Sequence, residues 1–499
     1  MKPKGPDAAA QASTGVPGLD DILAGGLTRR RMFLLEGSPG TGKTTAAMSF
    51  LSAGAEAGEH TLYVTLSETE EELRESAASH GWTLDGVDIF ELVPPESLLD
   101  EQQQQSLLYS SDLELGETTR MIFEAVTRTN PTRVVIDSLS EIRLLAQSSL
   151  RYRRQVLALK HYFAKRNATV LLLDDLTTDA LDKTVHSVAH GVIRLEELAP
   201  EFGAERRRVR VVKYRGRRFR GGFHDFTIKT GGLEVYPRLV SSEHRTKFAR
   251  DPLPSGVAGL DELLGGGVER GSSCLILGPA GTGKSLMALY FALSAVKRGE
   301  RAAIFVFDEE LGLLLDRTRA FGIDLASMVD TGRMILHQVD AAELSPGEFT
   351  SMVRECVDKS NIRTVIIDSL NGYQASMPEE KFLILHIHEL LQYLNRQGAT
   401  TFLTVAQHGL VGEMKAPVDV TYLADTVLLL RYFEAMGHVR RAVAVIKKRS
   451  GGHEKTIREF EIGEHGLTVG PPLERFQGVL RGVPNFVGPG AGLMGEPSA

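Results

Sequence analysis

Cysteine is almost missing from this sequence. Two occur in 499 residues, Cys274 and Cys356, far apart in the chain. Two thiols exclude a disulfide framework and a four-cysteine zinc site, and they fit a reducing cytoplasm. No apolar run reaches about 18 residues, so no membrane-spanning helix is expected. The segment Met1 to Ala12 holds Lys, Pro, Ala and Gln without the apolar centre of a signal peptide, and reads as a disordered lead-in. Excess positive charge is missing too. The net charge is −7, which gives no global reason for nucleic-acid binding. What is present is ordinary for a globular chain: 42% hydrophobic and 24% charged residues. The length suggests about two to four domains.

Against that background stands Gly37-Ser38-Pro39-Gly40-Thr41-Gly42-Lys43-Thr44. It follows the apolar run Met32 to Leu35 and opens onto Thr45, Ala46, Ala47, Met48, Phe50 and Leu51. Strand, Gly-rich loop and helix together are the context of a phosphate-binding P-loop. The glycines let successive backbone N–H groups turn inward around phosphate oxygens, and the helix N-terminus adds its positive end. Lys43 would reach the β- and γ-phosphates, and the Thr44 hydroxyl would ligate Mg²⁺. The pattern recurs as Gly278-Pro279-Ala280-Gly281-Thr282-Gly283-Lys284-Ser285, followed by Leu286.

The recurrence extends well beyond the loop. Gly18, Asp20 and Lys43 return as Gly259, Asp261 and Lys284, all at an offset of 241 residues. That period is too long for a solenoid, so a whole domain is duplicated. Each copy alternates strands and helices, the pattern of an α/β domain with a mostly parallel sheet and helices on both faces. The expected strands include 61–66, 133–137 and 169–173 in the first copy and 302–307, 364–368 and 400–405 in the second. The organisation reads as a lead-in to residue 12, a first domain over 13–240, a linker over 241–253, a second domain over 254–482 and a Gly/Pro-rich disordered tail over 483–499.

Three further features bear on chemistry. Asp137 and Asp368 each end an apolar strand, where a P-loop fold holds Mg²⁺. Glu68 and Glu309 each lie 25 residues after the P-loop lysine. A carboxylate there can orient and polarise an attacking water. The second copy has Asp308 beside Glu309, whereas the first has Ser67 beside Glu68. The same positions also suit helix N-caps with acids in the first turn. The third feature is basic. Lys213 and Arg215, and likewise Lys447 and Arg449, lie two apart and share a strand face. Such a pair could clamp a γ-phosphate bound by a neighbouring subunit, form a solvated face, or, in the Arg-rich first copy, meet nucleic acid. His386 and His388, two apart on a helix, make a poor metal pair, and Trp82 reads as packing.

With these motifs the chain resembles the KaiC circadian-clock ATPases of the RecA-like superfamily across residues 13 to 480. The resemblance rests on both P-loops, the lead-ins GVPGLDDILAGGL and SGVAGLDELLGGG, the strand ends DSLS and DSLN, KYRG and KKRS, and GHEKTIREFEI. It implies tandem RecA-like NTPase domains in a cytoplasmic hexamer of two stacked rings. ATP and Mg²⁺ would lie between subunits, with Lys213/Arg215 and Lys447/Arg449 facing the neighbour's nucleotide. It places Ser79 and Phe321 near the adenine. It implies slow hydrolysis in the first ring and serine/threonine autophosphorylation in the second, with KaiB-like proteins, a histidine kinase or a response regulator as partners. The family's Ser-Thr acceptor pair is here Thr421-Tyr422, so Thr421 is the candidate phosphorylation site. Asp308 and Ser67 stand where the family has glutamate, leaving Glu68 alone in the first copy. Two other readings compete. A RecA-like DNA-repair ATPase would need a DNA-binding extension or zinc ribbon, and the sequence offers neither. A low-turnover nucleotide-binding scaffold would differ in its ATPase rate.

Overall fold

The computed structural model describes residues 11–92, 107–176, 184–199, 203–375, 380–407, 421–463, 466–481 and 484–486. The chain divides into two compact units, Met1–Arg238 and Leu239–Ala499.

The first unit is built on one nine-stranded sheet. Its strands are β1 (Met32–Gly37), β2 (Thr61–Thr65), β3 (Val87–Glu91), β4 (Arg133–Asp137), β5 (Thr169–Asp175), β6 (Gly191–Leu198), β7 (Arg206–Tyr214), β8 (His224–Lys229) and β9 (Gly232–Tyr236). They lie in the order β9-β8-β7-β6-β1-β5-β4-β2-β3. The run from β6 to β3 is parallel, and β7, β8 and β9 continue it antiparallel. The principal helices used below are α1 (Lys43–Glu56), α2 (Glu70–Ser79), α3 (Ser149–Lys165) and α4 (Thr184–Val188).

The second unit repeats this plan. Its strands are β10 (Ser273–Gly278), β11 (Ala302–Val306), β12 (Met334–Gln338), β13 (Thr364–Asp368), β14 (Thr400–Ala406), β15 (Thr426–Ala435), β16 (His438–Lys448), β17 (Ile457–Gly463) and β18 (Gly466–Pro472), in the order β12-β11-β13-β14-β10-β15-β16-β17-β18. Among its helices are α5 (Lys284–Lys297), α6 (Leu311–Ala320) and α7 (Glu380–Arg396).

Side-chain alternation explains the two-sided packing. In β1, Phe33 and Leu35 face the cluster that contains Met48, Phe50 and Leu51 of α1. Leu34 faces the opposite cluster with Tyr152, Val156 and Phe163 of α3. Every residue of β1 and β4 is buried, as a sheet covered on both faces requires. Each fully buried aliphatic or aromatic side chain contributes about 1.5–3 kcal/mol. The edge strands β3 and β12 escape the sequence pattern because most of their residues are only partly buried and include Asp88, Glu91, His337 and Gln338.

Three boundaries shift from expectation. Gln11–Ala12 pairs with Leu27–Thr28, so order begins inside the expected lead-in; residues 1–10 lie outside the described residues. In the expected tail, Asn485–Phe486 pairs with Phe476–Gln477. The expected linker is fastened to the second unit. Thr246 N donates to Arg396 O (3.0 Å), Pro252–Leu253 pairs with Val268–Glu269, and an added Cβ at Gly271 would sit 2.5 Å from the Phe248 ring. Polar composition misleads here because these contacts are made by backbone groups and one ring.

A buried arginine ties the first unit's N-terminal segment to its core. Arg133, 2% exposed, donates to Ser13 O (2.7 Å), Phe50 O (2.8 Å) and Glu59 Oε1 (2.8 Å). Arg29 also donates to Glu59 (2.8 Å). Hydrogen bonds from Arg29 and then Arg133 outweigh burial and bring the Glu59 carboxyl from 4.5 down to about 2. A depressed carboxylate stabilises the fold above its unfolded pKa and loses that contribution as pH falls through the folded value. Arg133→Ala should therefore cost the first unit roughly 3–5 kcal/mol at neutral pH, with two carbonyls and a carboxylate stripped of a donor. Urea unfolding should show the gap to the parent chain narrowing as pH is lowered from 4.5 toward 2.

Candidate functional site

Each P-loop sits at the C-terminal end of the central strand, between β1 and α1 or between β10 and α5. Gly42 and Gly283 close the loops in the left-handed region, at φ 91° and 103°. A Cβ at either would also meet an isoleucine from the antiparallel extension, Ile228 at 2.7 Å or Ile462 at 2.5 Å. The extension thus presses on the loop and requires glycine there. Gly37 and Gly278 are equally close-packed, against Leu195 O and Leu430 O (2.8 Å each). Thr41 and Thr282 brace the turns by donating to Ser38 O (2.8 Å) and Pro279 O (2.9 Å). Gly40 and Gly281 take positive φ at the loop crest.

The two lysines rest differently. Lys43 Nζ donates to Gly37 O (3.0 Å) and Ser38 O (2.9 Å) and pairs with Asp175 Oδ1 (2.7 Å) at the tip of β5. Lys284 Nζ donates to Pro279 O (2.7 Å). Burial lowers the Lys284 pKa, with Asp368 opposing.

The strand-end aspartates come to the loops. Thr44 Oγ1 donates to Asp137 Oδ2 (3.3 Å), and Tyr63 OH donates to the same oxygen (2.6 Å). Burial raises the Asp137 pKa despite those bonds. In the second unit Ser285, Leu286, Phe321 and Asp368 line one cavity, and Thr404 Oγ1 donates to Asp368. A hydroxyl and a carboxylate side by side are hard oxygen donors, a fit for Mg²⁺.

Glu68 follows β2, and its backbone N–H donates to Thr65 Oγ1 (3.0 Å). Burial, then the Asp137 charge, raises its carboxyl pKa. Glu309 pairs with Arg317 (2.9 Å), and Asp308 accepts from Ser369 Oγ. The helix caps are Thr69, in a capping box with Glu72, and Glu310. Capping therefore falls two residues beyond Ser67 and Asp308, and the cap reading of those two is corrected. Ser79 turns its hydroxyl onto Ser76 O (2.7 Å) of its own helix. The C-cap counterpart of Phe321 is the next residue, His80, whose Nε2 lies 3.3 Å from Thr45 Oγ1.

The basic pairs are not at their own chain's loops. Register pairs Phe33 with Gly191 and Gly191 with Tyr214, so Lys213 and Arg215 flank the N-terminal end of β1. Gly37 lies four residues further on, about 13 Å at a strand's rise. Lys213 Nζ donates to His186 O and Ala189 O (2.8 Å), and Arg215 to Ser187 O (2.7 Å). Lys447 Nζ donates to Thr421 O (3.0 Å) and Ala424 O (2.7 Å), and Arg449 to Tyr422 O (2.6 Å). The arginines of β7 are matched by carboxylates: Arg207 with Glu197 and Glu205, and Arg208 with Glu196. Trp82 packs on Gly232, and His386 contacts Thr350 and Tyr373. Among the described residues no group of three or more metal-ligating side chains gathers, and no helix is long and apolar enough to cross a membrane.

With this geometry established, the family model "ATPase: KaiC" matches residues 12–240 and 253–474, most of the chain. The chain belongs to the KaiC ATPase family. Circadian clock protein KaiC3 of Synechocystis sp. is 28% identical over 494 residues, covering 96% of this chain and 95% of its own length. Circadian clock oscillator protein KaiC of Acaryochloris marina is 27% identical over 487 residues, with 95% and 91% covered. That of Parasynechococcus marenigrum is 29% identical over 493 residues, with 95% and 93% covered. Both units are RecA-like α/β domains, and the chain is a KaiC-type ATPase.

Tyr63 and Asp175 are the contacts that sequence reasoning missed. Asp175 is the second of two aspartates that close an apolar run, much as Asp137 closes one, a signal that could have found it. Tyr63 gave no signal, since an aromatic in a strand is ordinary. Its hydroxyl is buried against a carboxylate beside the loop. In a Lys284→Ala background, Tyr63→Phe should lower first-unit ATP turnover roughly tenfold, the loss of one hydrogen bond to a charged group. Steady-state phosphate release checks this.

Proposed function

We propose that this chain is an ATP-binding, Mg²⁺-dependent oligomeric switch whose nucleotide sites are completed by a neighbouring copy. The position of Lys213 and Arg215 carries the reading: they stand at the end of the sheet away from their own P-loop. Two stacked hexameric rings are the assembly that the family likeness favours.

In each site the loop N–H groups of residues 40–44 or 281–285 would hold the β- and γ-phosphates. Lys43 would exchange Asp175 for phosphate oxygen. Thr44 with Asp137, and Ser285 with Asp368, would hold Mg²⁺, which supplies charge neutralisation on the phosphates. Glu68 and Glu309 would orient a water and take its proton. The raised pKa of Glu68 makes it a better proton acceptor than an ordinary carboxylate. Phosphate from the neighbour would draw Lys213, Arg215, Lys447 and Arg449 off their main-chain carbonyls.

The second unit is also read as an autokinase at Thr421. Lys447, the cation that would meet the neighbour's γ-phosphate, donates to the main-chain carbonyl of Thr421 and so holds the turn that carries this residue (3.0 Å). A bond from Thr421 Oγ to phosphorus would form as the bond to the β-phosphate oxygen breaks and ADP leaves. The hydroxyl proton would pass to the partner copy's Asp308–Glu309 pair. The equivalent first-unit position is His186, five residues before β6 as Thr421 is five before β15, and it is bound to Glu36 (2.6 Å). The residue equivalent to Thr421 in the first unit therefore offers no hydroxyl, although its neighbour Ser187 does. Signalling to KaiB-like proteins, a histidine kinase or a response regulator is proposed from relatives named for the circadian clock. The matched arginines of β7 favour a protein partner over nucleic acid.

Native mass spectrometry with ATP should show assembled rings, and Glu68→Gln in the Lys284→Ala background should cut turnover about 100-fold. A single chain that hydrolyses normally at saturating ATP would sink the shared-site reading. With labelled ATP, peptide mapping should find phosphate on Thr421 and none there in Thr421→Val. Label confined to other residues would leave an ATPase without this kinase step.

A further inference from the structure

At the N-terminal ends of β1 and β6, away from the P-loop, the first unit has a cavity of about 210 Å³. Arg30, Arg31, Lys160, His190 and Arg215 ring it, with Phe163 as an apolar wall, and no carboxylate lines it. The cations are held by neutral groups. Arg31 donates to Arg30 O (3.3 Å), Lys160 to Val188 O (3.0 Å) and Arg215 to Ser187 O (2.7 Å). Among the described residues none of Arg30, Arg31, Lys160 and Arg215 forms an ion pair. Lys213 stands behind them. Burial, and then Arg31, Arg215 and Lys160, bring His190 down to about 4, which reflects the positive charge gathered around it.

The second unit solves the same place differently. Asp425 precedes β15 as His190 precedes β6. Asp425 pairs with Arg449 (3.3 Å) and accepts from Ser273 N and Oγ (3.0 Å each). At the 241-residue offset Arg30 and Arg31 become Gly271 and Ser272. The second unit also surrounds this place with cations, Arg245, Lys247, Arg250, Arg396 and Arg449, but sets the Asp425 carboxylate among them; the first unit has its cations without an acid. Like charges crowded in a partly enclosed site repel unless an anion joins them.

We propose that this cavity binds an oligophosphate, with Arg31 and Lys160 joining Arg215 as its ligands. This rests on the reading of Lys213 and Arg215 as groups that meet a phosphate chain, and adds two side chains to it. Guanidinium forks from Arg31 and Arg215 would take non-bridging oxygens in pairs, and Lys160 would act as a point charge. The chain of phosphates could belong to a neighbour's nucleotide or to a free ligand.

Calorimetric titration of the full chain carrying Lys43→Ala and Lys284→Ala with inorganic triphosphate tests the site, since both P-loops are then disabled. Binding of about one equivalent is expected, weakened about tenfold or more by Arg31→Gln with Lys160→Gln. His190→Asp, which installs the acid of the second unit, should weaken it comparably. Absence of binding, or an affinity that neither change moves, overturns the proposal. With the parent chain at saturating ATP, no further uptake of triphosphate identifies the neighbour's nucleotide as the occupant. One extra equivalent identifies a free ligand. Failure of the ATPase reading would appear separately, as undiminished turnover in Lys43→Ala, and would leave this titration intact.

Discussion

A parallel strand has two ends, and the architecture assigns them different tasks. The central strand of each unit delivers its glycine loop at one end, and the antiparallel extension returns its lysine and arginine to the other. Register fixes that separation, because a strand pairing cannot slip by one residue without turning its buried face to solvent. The Lys213–Arg215 and Lys447–Arg449 pairs therefore stand away from the phosphate position of their own chain's loop. That separation is the structural basis of the proposed site shared between copies.

Duplication preserves this frame while altering what sits in it. The turn gripped by Lys213 contains His186, locked to a buried Glu36 that Arg194 also holds (2.6 Å). Burial alone would raise the Glu36 pKa, but the bonds from His186 and Arg194 outweigh it and leave it below the ordinary value. In the second unit Glu36 is replaced by Leu277 and the turn carries Thr421. An ionic interlock in one copy and a hydroxyl in the other accord with the proposal that phosphate transfer is confined to the second unit.

Much of this was legible in the chain because the decisive signals are local. The loops, the strands ending in Asp137 and Asp368 and the repeat offset need only short windows of sequence. Both helices after the loops begin at the lysine itself. What stayed hidden depends on distance along the chain. Tyr63 meets Asp137 across 74 residues, and Asp175 meets Lys43 across neighbouring strands. The capping reading went astray for a local reason. Thr65 holds the backbone of Glu68 in a turn, which delays the helix until Thr69.

The strap between the halves has a consequence of its own. From Leu239 onward the chain belongs to the second unit, and Phe248 fills the space left open by two glycines, Gly271 and Gly398. The second unit thus begins at Leu239, one residue after Arg238, and the polar stretch up to Pro254 packs as part of it. A protease nick at Arg250 would sever the covalent link yet leave the stretch from Leu239 to Phe248 seated on the second unit, held there by a ring and main-chain contacts of that unit rather than by the chain.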